Sequence, residues 1–318
     1  MAAFAYTVNL TPSDGLIERH TMVEPRIDWI IRILESPDEM RQVEELQRLV
    51  WPGSELDVVP AHMLLAAVHG GGLVVGVYLD SALVGFVFGF PGLYFTPDGP
   101  RAKHCSHMLA VHPDYRGQGL GFRLKRAQWQ MVRHQGVDLI TWTYDPLLSR
   151  NAYLNIAKLG AVCNTYLRNF YGDMRDELNV GLPSDRFQVD WWVGSWRVNR
   201  RLSKRARRLL SLDQFLSANV QIINTASPSI DPTTKMKVKS RRGTKPVSVE
   251  EAILMVEIPA DILAIKSVNP ALALEWRLHI RSIFEDLFSQ GYLVTDFVYR
   301  PGQPDRSFYV LSNGESTL

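Results

Sequence analysis

"HPDYRGQGLGFRLKRAQWQ", residues 112–130, sets Gly117, Gly119 and Gly121 at alternate positions, behind Arg116 and ahead of a run of helix formers. Glycine weakens the start of an element, so a cluster there marks backbone that must turn sharply or approach something closely. Upstream, "CSHMLAV" reads as a strand feeding the glycines. Downstream, Leu120, Leu124, Ala127 and Met131 recur at helical spacing and predict an amphipathic helix. In that order the three pieces suit an anion: the first N–H groups of the helix point at it and the helix dipole favours it.

Three phosphate-binding patterns compete for these residues. A P-loop requires Gly-Lys-Ser/Thr at its end, and no such lysine follows. A dinucleotide fingerprint would put Phe122 where its third glycine belongs. Asp145 nevertheless ends the next predicted strand, where a ribose-binding acid would stand, so a nicotinamide oxidoreductase is weakened and stays open. The third pattern, Arg/Gln-x-x-Gly-x-Gly/Ala, is met by Arg116, Gly119 and Gly121.

Working outward, "IDWIIRIL" reads as a strand and "SPDEMRQVEELQRLVWPG" as a helix. Ser36 is its N-cap, Pro37 its first residue and Glu39 the partner in a capping box. A shorter helix follows Pro60 and stops at Gly70. "GLVVGVYLDSALVGFVFGF" predicts two strands joined at Asp80-Ser81, and "VDLITWTY" a strand ending at Asp145-Pro146. Residues 149–159 form a short helix that Gly160 ends. Beyond "FQVDWWV", Arg197, Arg200, Arg201, Lys204, Arg205, Arg207 and Arg208 crowd one predicted helix. Residues 226–246 read as a flexible connection, and the chain closes with the strand "EAILMVEIP", a helix capped by Asn269 and the strands "YLVTDFVY" and "SFYVL".

The hairpin predicts antiparallel pairing, and the strand–loop–helix–strand stretch a parallel crossover. The expected fold is α/β (α+β): a mixed, mostly antiparallel twisted sheet with helices on both faces and a small C-terminal α/β subdomain. The expected organisation is an arm at 1–25, a catalytic domain at 26–193, a basic helix and connection at 194–247, and the subdomain at 248–318.

"LAVHPDYRGQGLG", with its predicted strand and helix, resembles the acyl-CoA loop of the GNAT N-acyltransferase superfamily, and the element order over residues 26–193 is similar to that fold. The resemblance implies splayed central parallel strands and an acetyl-CoA or succinyl-CoA donor with no metal. It implies direct attack of an amine on the thioester. The backbone of Gly117, Gln118, Gly119, Leu120 and Gly121 would cradle the diphosphate beside Arg116. Leu109 and Val111 would pair with the pantetheine arm, and Arg123 or Arg126 would meet the remaining phosphate.

His107 is the leading candidate general base, because a neutral imidazole suits proton removal near pH 7. Strand alternation places it on the face of Leu109 and Val111, and His104 on the opposite one, so the two make a poor metal site. Superfamily members carry an Asn and a Tyr on the helix after the second splayed strand; here Ser149 and Ile156 stand at those positions. Tyr153, Tyr144 or a water would then protonate the thiolate, and Asn151 and Asn155 would hold pantetheine. Arg186 is either a clamp for a substrate carboxylate or a loop arginine paired with Asp185.

Composition narrows the class. With 35 basic and 33 acidic residues the net charge is +2, too little for a nucleic-acid-scale field. The basic helix lacks interleaved aromatics beyond Trp196 and reads as a solvated face, or one reaching a CoA phosphate. Two cysteines argue against a disulfide framework, and no stretch reads as a signal peptide or membrane span, so the expected setting is the cytoplasm. The expected substrate is a small amine of the amino-acid class. A protein N-acetyltransferase and an inactive CoA-binding sensor are the alternatives, and the C-terminal subdomain is read as a cap, a homodimer interface or both.

Overall fold

The computed structural model describes residues 28–53, 55–174, 180–203, 208–224 and 252–313. The predicted arm, the connection at 226–246 and residues 204–207 of the basic run lie outside the described residues. The chain divides into two compact units, Met1–Ile140 and Thr141–Leu318.

In the first unit, β1 (Trp29–Ile33), β2 (Leu73–Leu79), β3 (Ala82–Thr96) and β4 (Gly99–Val111) pair in sequence order, each antiparallel to the next. Helix α1 (Pro37–Val50) begins with the capping box read from Ser36 and Glu39. With α2 (Ala61–His69) it covers one face, where Met40, Val43 and Leu64 pack on Phe86 and Phe88. Asp80 takes the left-handed conformation, φ 52°, in the tight turn between β2 and β3. Strands β3 and β4 run further than their apolar stretches suggest, paired from Gly85↔Val111 to Thr96↔Gly99. Pro91 and Gly92 punctuate the sequence there without ending the ladder.

Helix α3 (Leu120–His134) covers the other face. Its buried stripe is Leu120, Leu124, Lys125, Ala127, Gln128 and Val132. The stripe therefore runs through Val132 where the apolar spacing pointed to Met131, and it includes two polar residues. Lys125 Nζ donates to Ser106 Oγ at 3.0 Å and to Gln128 Oε1 at 2.9 Å, and Gln128 Nε2 lies 3.1 Å from His104 Nε2. Burial pulls the Lys125 ammonium well below its usual range. His104 is 2 % exposed. Burial, with Lys125 adding, pulls it down to about 4.

That depression has a defined sign. Above about pH 6.5 the imidazole is neutral folded and unfolded and contributes nothing; as pH falls toward 4 the unfolded chain takes up a proton that the fold refuses. Stability should therefore fall by about 3 kcal/mol over that window from this group alone. Urea melts of wild type and His104→Gln across pH 4–7 read it as the difference in slope, and parallel slopes would refute it.

The second unit orders its strands β5 (Leu139–Tyr144), β7 (Arg186–Trp192), β6 (Val162–Leu167), β10 (Leu293–Arg300), β11 (Arg306–Ser312), β9 (Ile253–Ile258) and β8 (Gln221–Ile222). Strands β6, β7, β10, β11 and β9 join antiparallel, and β8 runs parallel to β9. The sheet system is thus mixed and mostly antiparallel, as expected. Residues 253–312 extend the sheet of β5–β7–β6, through the pair Val294↔Cys163. Helices α7 (Ile262–Val268) and α8 (Pro270–Ser289) lie between β9 and β10 in sequence, α8 capped by Asn269 as read. Phe187 meets Phe284 at a ring separation of 4.7 Å and Tyr309 at 5.4 Å, so this aromatic core binds both ends of the unit together.

The short helix α4 (Ser149–Ala152) continues as a π-helical turn, Tyr153–Lys158, and Gly160 closes it at φ +78°. Helix α5 (Trp196–Leu202) ends at Leu202, where Ser203 leaves the helical conformation, so among the described residues the basic run is helical only to that point. A further short helix, α6 (Leu212–Ser217), precedes β8. No helix among the described residues is long and apolar enough to cross a membrane.

Candidate functional site

After β4, Pro113–Tyr115 makes one 3-10 turn, and the chain then reaches α3 through Gly117 and Gly119 at φ +83° and +76°. Both values are left-handed, which explains two of the three glycines: any other residue would be strained there. Gly119 is the N-cap of α3 and supplies no side chain to bond its first N–H groups. A Cβ at 117 or 119 would meet nothing within 4 Å. A 15-residue helix therefore starts uncapped beside open space, which fits a diphosphate that would take the donors instead. Leu120 is 1 % exposed, so only its backbone is available to a ligand. Gln118 is exposed, while Gly121 and Arg123 are half-buried in the first turn of α3. Arg126 Nε is buried with no hydrogen-bond partner. Arg116 Nε donates 3.2 Å to the Val111 carbonyl, which pins the loop to the strand end.

The β3–β4 ladder shifts register between Phe88 and Gly89: Phe88 faces Met108 and Gly89 faces Ser106, which leaves His107 as the extra residue of a β-bulge. The bulge corrects the alternation reading. Leu109 pairs with Val87 and Val111 with Gly85, whose Cβ position looks toward Leu124 of α3. His107 instead packs its ring against Phe88 at 6.1 Å and Phe90 at 5.8 Å, on the opposite face. His104 stays on the α3 side with Gln128, so the two histidines do lie on opposite faces. His107 is exposed to solvent, yet the neighbouring rings desolvate it in part and lower its pKa, which favours the neutral imidazole.

The remaining candidates lie in the second unit. Tyr144 is buried, its hydroxyl 3.1 Å from that of Tyr309, which in turn donates 2.8 Å to the Pro146 carbonyl. Burial raises its pKa well above the ordinary value. Tyr153 is half-buried at the start of the π turn, with Lys158 Nζ 5.6 Å from its ring centre. Asn151 is exposed and Asn155 is buried. Ser149, at the position where superfamily members carry Asn, bonds Ser307 at 2.7 Å.

Arg186 is on β7, and its partner differs from the one expected. It bonds the Asp185 carbonyl at 2.9 Å and the Met174 sulfur at 3.0 Å, and it approaches Asp145 at 3.9 Å. The Asp185 carboxylate is held by Arg281 through two bonds of 2.8 and 2.9 Å, by Tyr166 Oη and by Asn169 N. Asp145 is gripped by both terminal nitrogens of Arg277. The acid that a dinucleotide reading would give to ribose is thus committed to an arginine. This double charge network escaped the sequence reading because Arg277 and Arg281 lie more than 90 residues from their partners. Their spacing of four on one helix was its only sequence signal.

The described residues thus combine a mixed α/β sheet, a bulged strand and a glycine turn that opens an uncapped helix. Residues 38–154, little more than a third of the chain, match the family model of the acetyltransferase (GNAT) family. No curated protein matches the chain. Among solved structures, an aminoglycoside 6'-acetyltransferase type Ii is 22% identical over 52% of this chain and 98% of its own, with a TM-score of 0.41. The ribosomal-protein-S18-alanine N-acetyltransferase from Escherichia coli is 16% identical over 53% and 96%, at 0.38. An acetyltransferase of the GNAT family from Streptococcus pneumoniae is 14% identical over 52% and 100%, at 0.41.

Proposed function

We propose that the protein transfers an acetyl or succinyl group from acyl-CoA to the amine of a small metabolite of the amino-acid class. The observation that carries this reading is the left-handed, uncapped start of α3 at Gly119, reached from β4 through one short turn. When bound there, acyl-CoA supplies the activated thioester. The chain's own residues do the rest. Backbone N–H groups of residues 117–121 hold the diphosphate beside Arg116, Arg123 or Arg126 meets the remaining phosphate, and the β4 backbone at Leu109 and Val111 aligns the pantetheine arm.

His107 takes the proton from the attacking ammonium, a task its neutral imidazole suits. Tyr153 is the tyrosine proposed to protonate the departing thiolate, since Tyr144 spends its hydroxyl on Tyr309. Arg186 is left out of the substrate contacts because its guanidinium is engaged inside the second unit.

The test is free-thiol release from acetyl-CoA or succinyl-CoA in the presence of amino-acid pools. Release that depends on one pool supports the reading and names donor and acceptor. Release only with a protein acceptor, or none while CoA still raises the melting temperature, replaces it with a protein acetyltransferase or a sensor. His107→Gln should lower kcat/KM about 100-fold at pH 7. The wild-type rate should fall on the acid side, as His107 becomes protonated below pH 6.5, and this limb should vanish in the variant. Equal rates for the two proteins from pH 6 to 9 would end its candidacy.

A further inference from the structure

We infer that the second unit holds a binding site for a small, multiply charged oxyanion, a phosphate ester, diphosphate or polycarboxylate, in a cavity built around α5. The cavity measures about 210 Å³ and is lined by Trp196, Arg197, Arg200, Arg201, Arg208 and Asp296, with Leu209 and Leu210. That volume would hold roughly seven waters, at about 30 Å³ each, so it suits a small molecule better than a single ion.

Four guanidinium groups face one carboxylate, which leaves the lining three charges positive. Asp296 bonds Arg201 at 2.7 Å. Arg197 spends Nε on the Gly160 carbonyl at 3.1 Å, which fixes the side chain from behind. Its Nη2 is buried with no hydrogen-bond partner. Burial pulls this guanidinium down to about 10, against the attraction of Asp296 and with the help of Arg201. An arginine in that state gains most from an anion, because the partner restores what desolvation removed.

Arg200 lies over the Trp196 ring at 4.6 Å, so its planar fork is held in one orientation. Trp196 is 72% exposed, an unusual position for an indole unless it forms the wall of a site. Arginine forks pair bidentately with phosphate and carboxylate alike, so the shared chemistry is the oxyanion and the charge requirement is at least two. The basic run of the sequence is therefore a shaped site over its described part and not merely a solvated face.

Titration calorimetry on the full chain at constant ionic strength tests this, with pyrophosphate and citrate as probes and sodium chloride as reference. Both probes should bind, and Arg200→Gln/Arg208→Gln should weaken each at least tenfold. These two residues are partly or wholly exposed and the double variant should fold. A pyrophosphate-only signal would assign phosphate ligands and a citrate-only signal carboxylates. The same titration in Gly119→Glu separates this site from the α3 start, and binding must survive there. Binding of neither probe above the chloride reference, or affinity unchanged in the double variant, overturns the proposal.

Discussion

Gly119→Glu should weaken CoA binding by about 100-fold or more while leaving the protein folded. The glycine sits at φ +76°, where a residue with a Cβ is strained by roughly 1–2 kcal/mol. No steric term adds to this, since the new Cβ meets nothing within 4 Å. The carboxylate itself removes the affinity. It would bond the uncapped N–H groups of α3 in place of the diphosphate, and at about 4 Å from a phosphate it adds repulsion of up to roughly 4 kcal/mol at an effective dielectric near 20. Gly119→Ala separates the two effects. It should lose the same stability and weaken CoA binding less than tenfold. Calorimetry with CoA and urea melts on both variants make the comparison, and unchanged affinity in Gly119→Glu would remove the diphosphate cradle.

Local signals carried most of the fold. The capping box at Ser36 and Glu39, the turn at Asp80, the stop at Gly160 and the cap at Asn269 each act within a few residues, and each stands where it was read. What the sequence concealed is non-local. The β4 bulge arises from how β3 and β4 register, and a strand's own residues do not reveal an extra one, so alternation put His107 on the wrong face. Lys125 and Gln128 fall on the buried stripe of α3, where their polarity argued for solvent. They are tolerated because Ser106 and His104, on the strand beneath, complete their hydrogen bonds. Likewise, the arginine-rich segment looked like surface charge until α5 and β10 placed Asp296 and a cavity beside it. The glycine turn before α3 was legible because its shape is carried by consecutive backbone groups, two of them left-handed. Arg186 was not, because its partners come from three separate stretches.

Arg277→Met should cost about 3 kcal/mol of stability. The side chain is 1% exposed and that of Asp145 only 12%, so the substitution leaves a largely buried carboxylate without its main partner. Breaking a buried pair from one side typically costs 3–5 kcal/mol, since the remaining ion keeps its desolvation penalty and loses the compensating attraction. Two features hold the value at the lower end. Arg186 Nη1 remains 3.9 Å from the carboxylate, and Leu147 N still donates to Asp145 Oδ1 at 2.8 Å. Adding Asp145→Asn should then recover at least half of the loss, because a neutral amide beside Arg186 is easier to bury than an unpaired charge. Urea unfolding of wild type, both single variants and the double variant at pH 7 closes this cycle. Additive losses would mean that Asp145 and Arg277 stabilise the unit independently, and the buried network would then be packing rather than electrostatics.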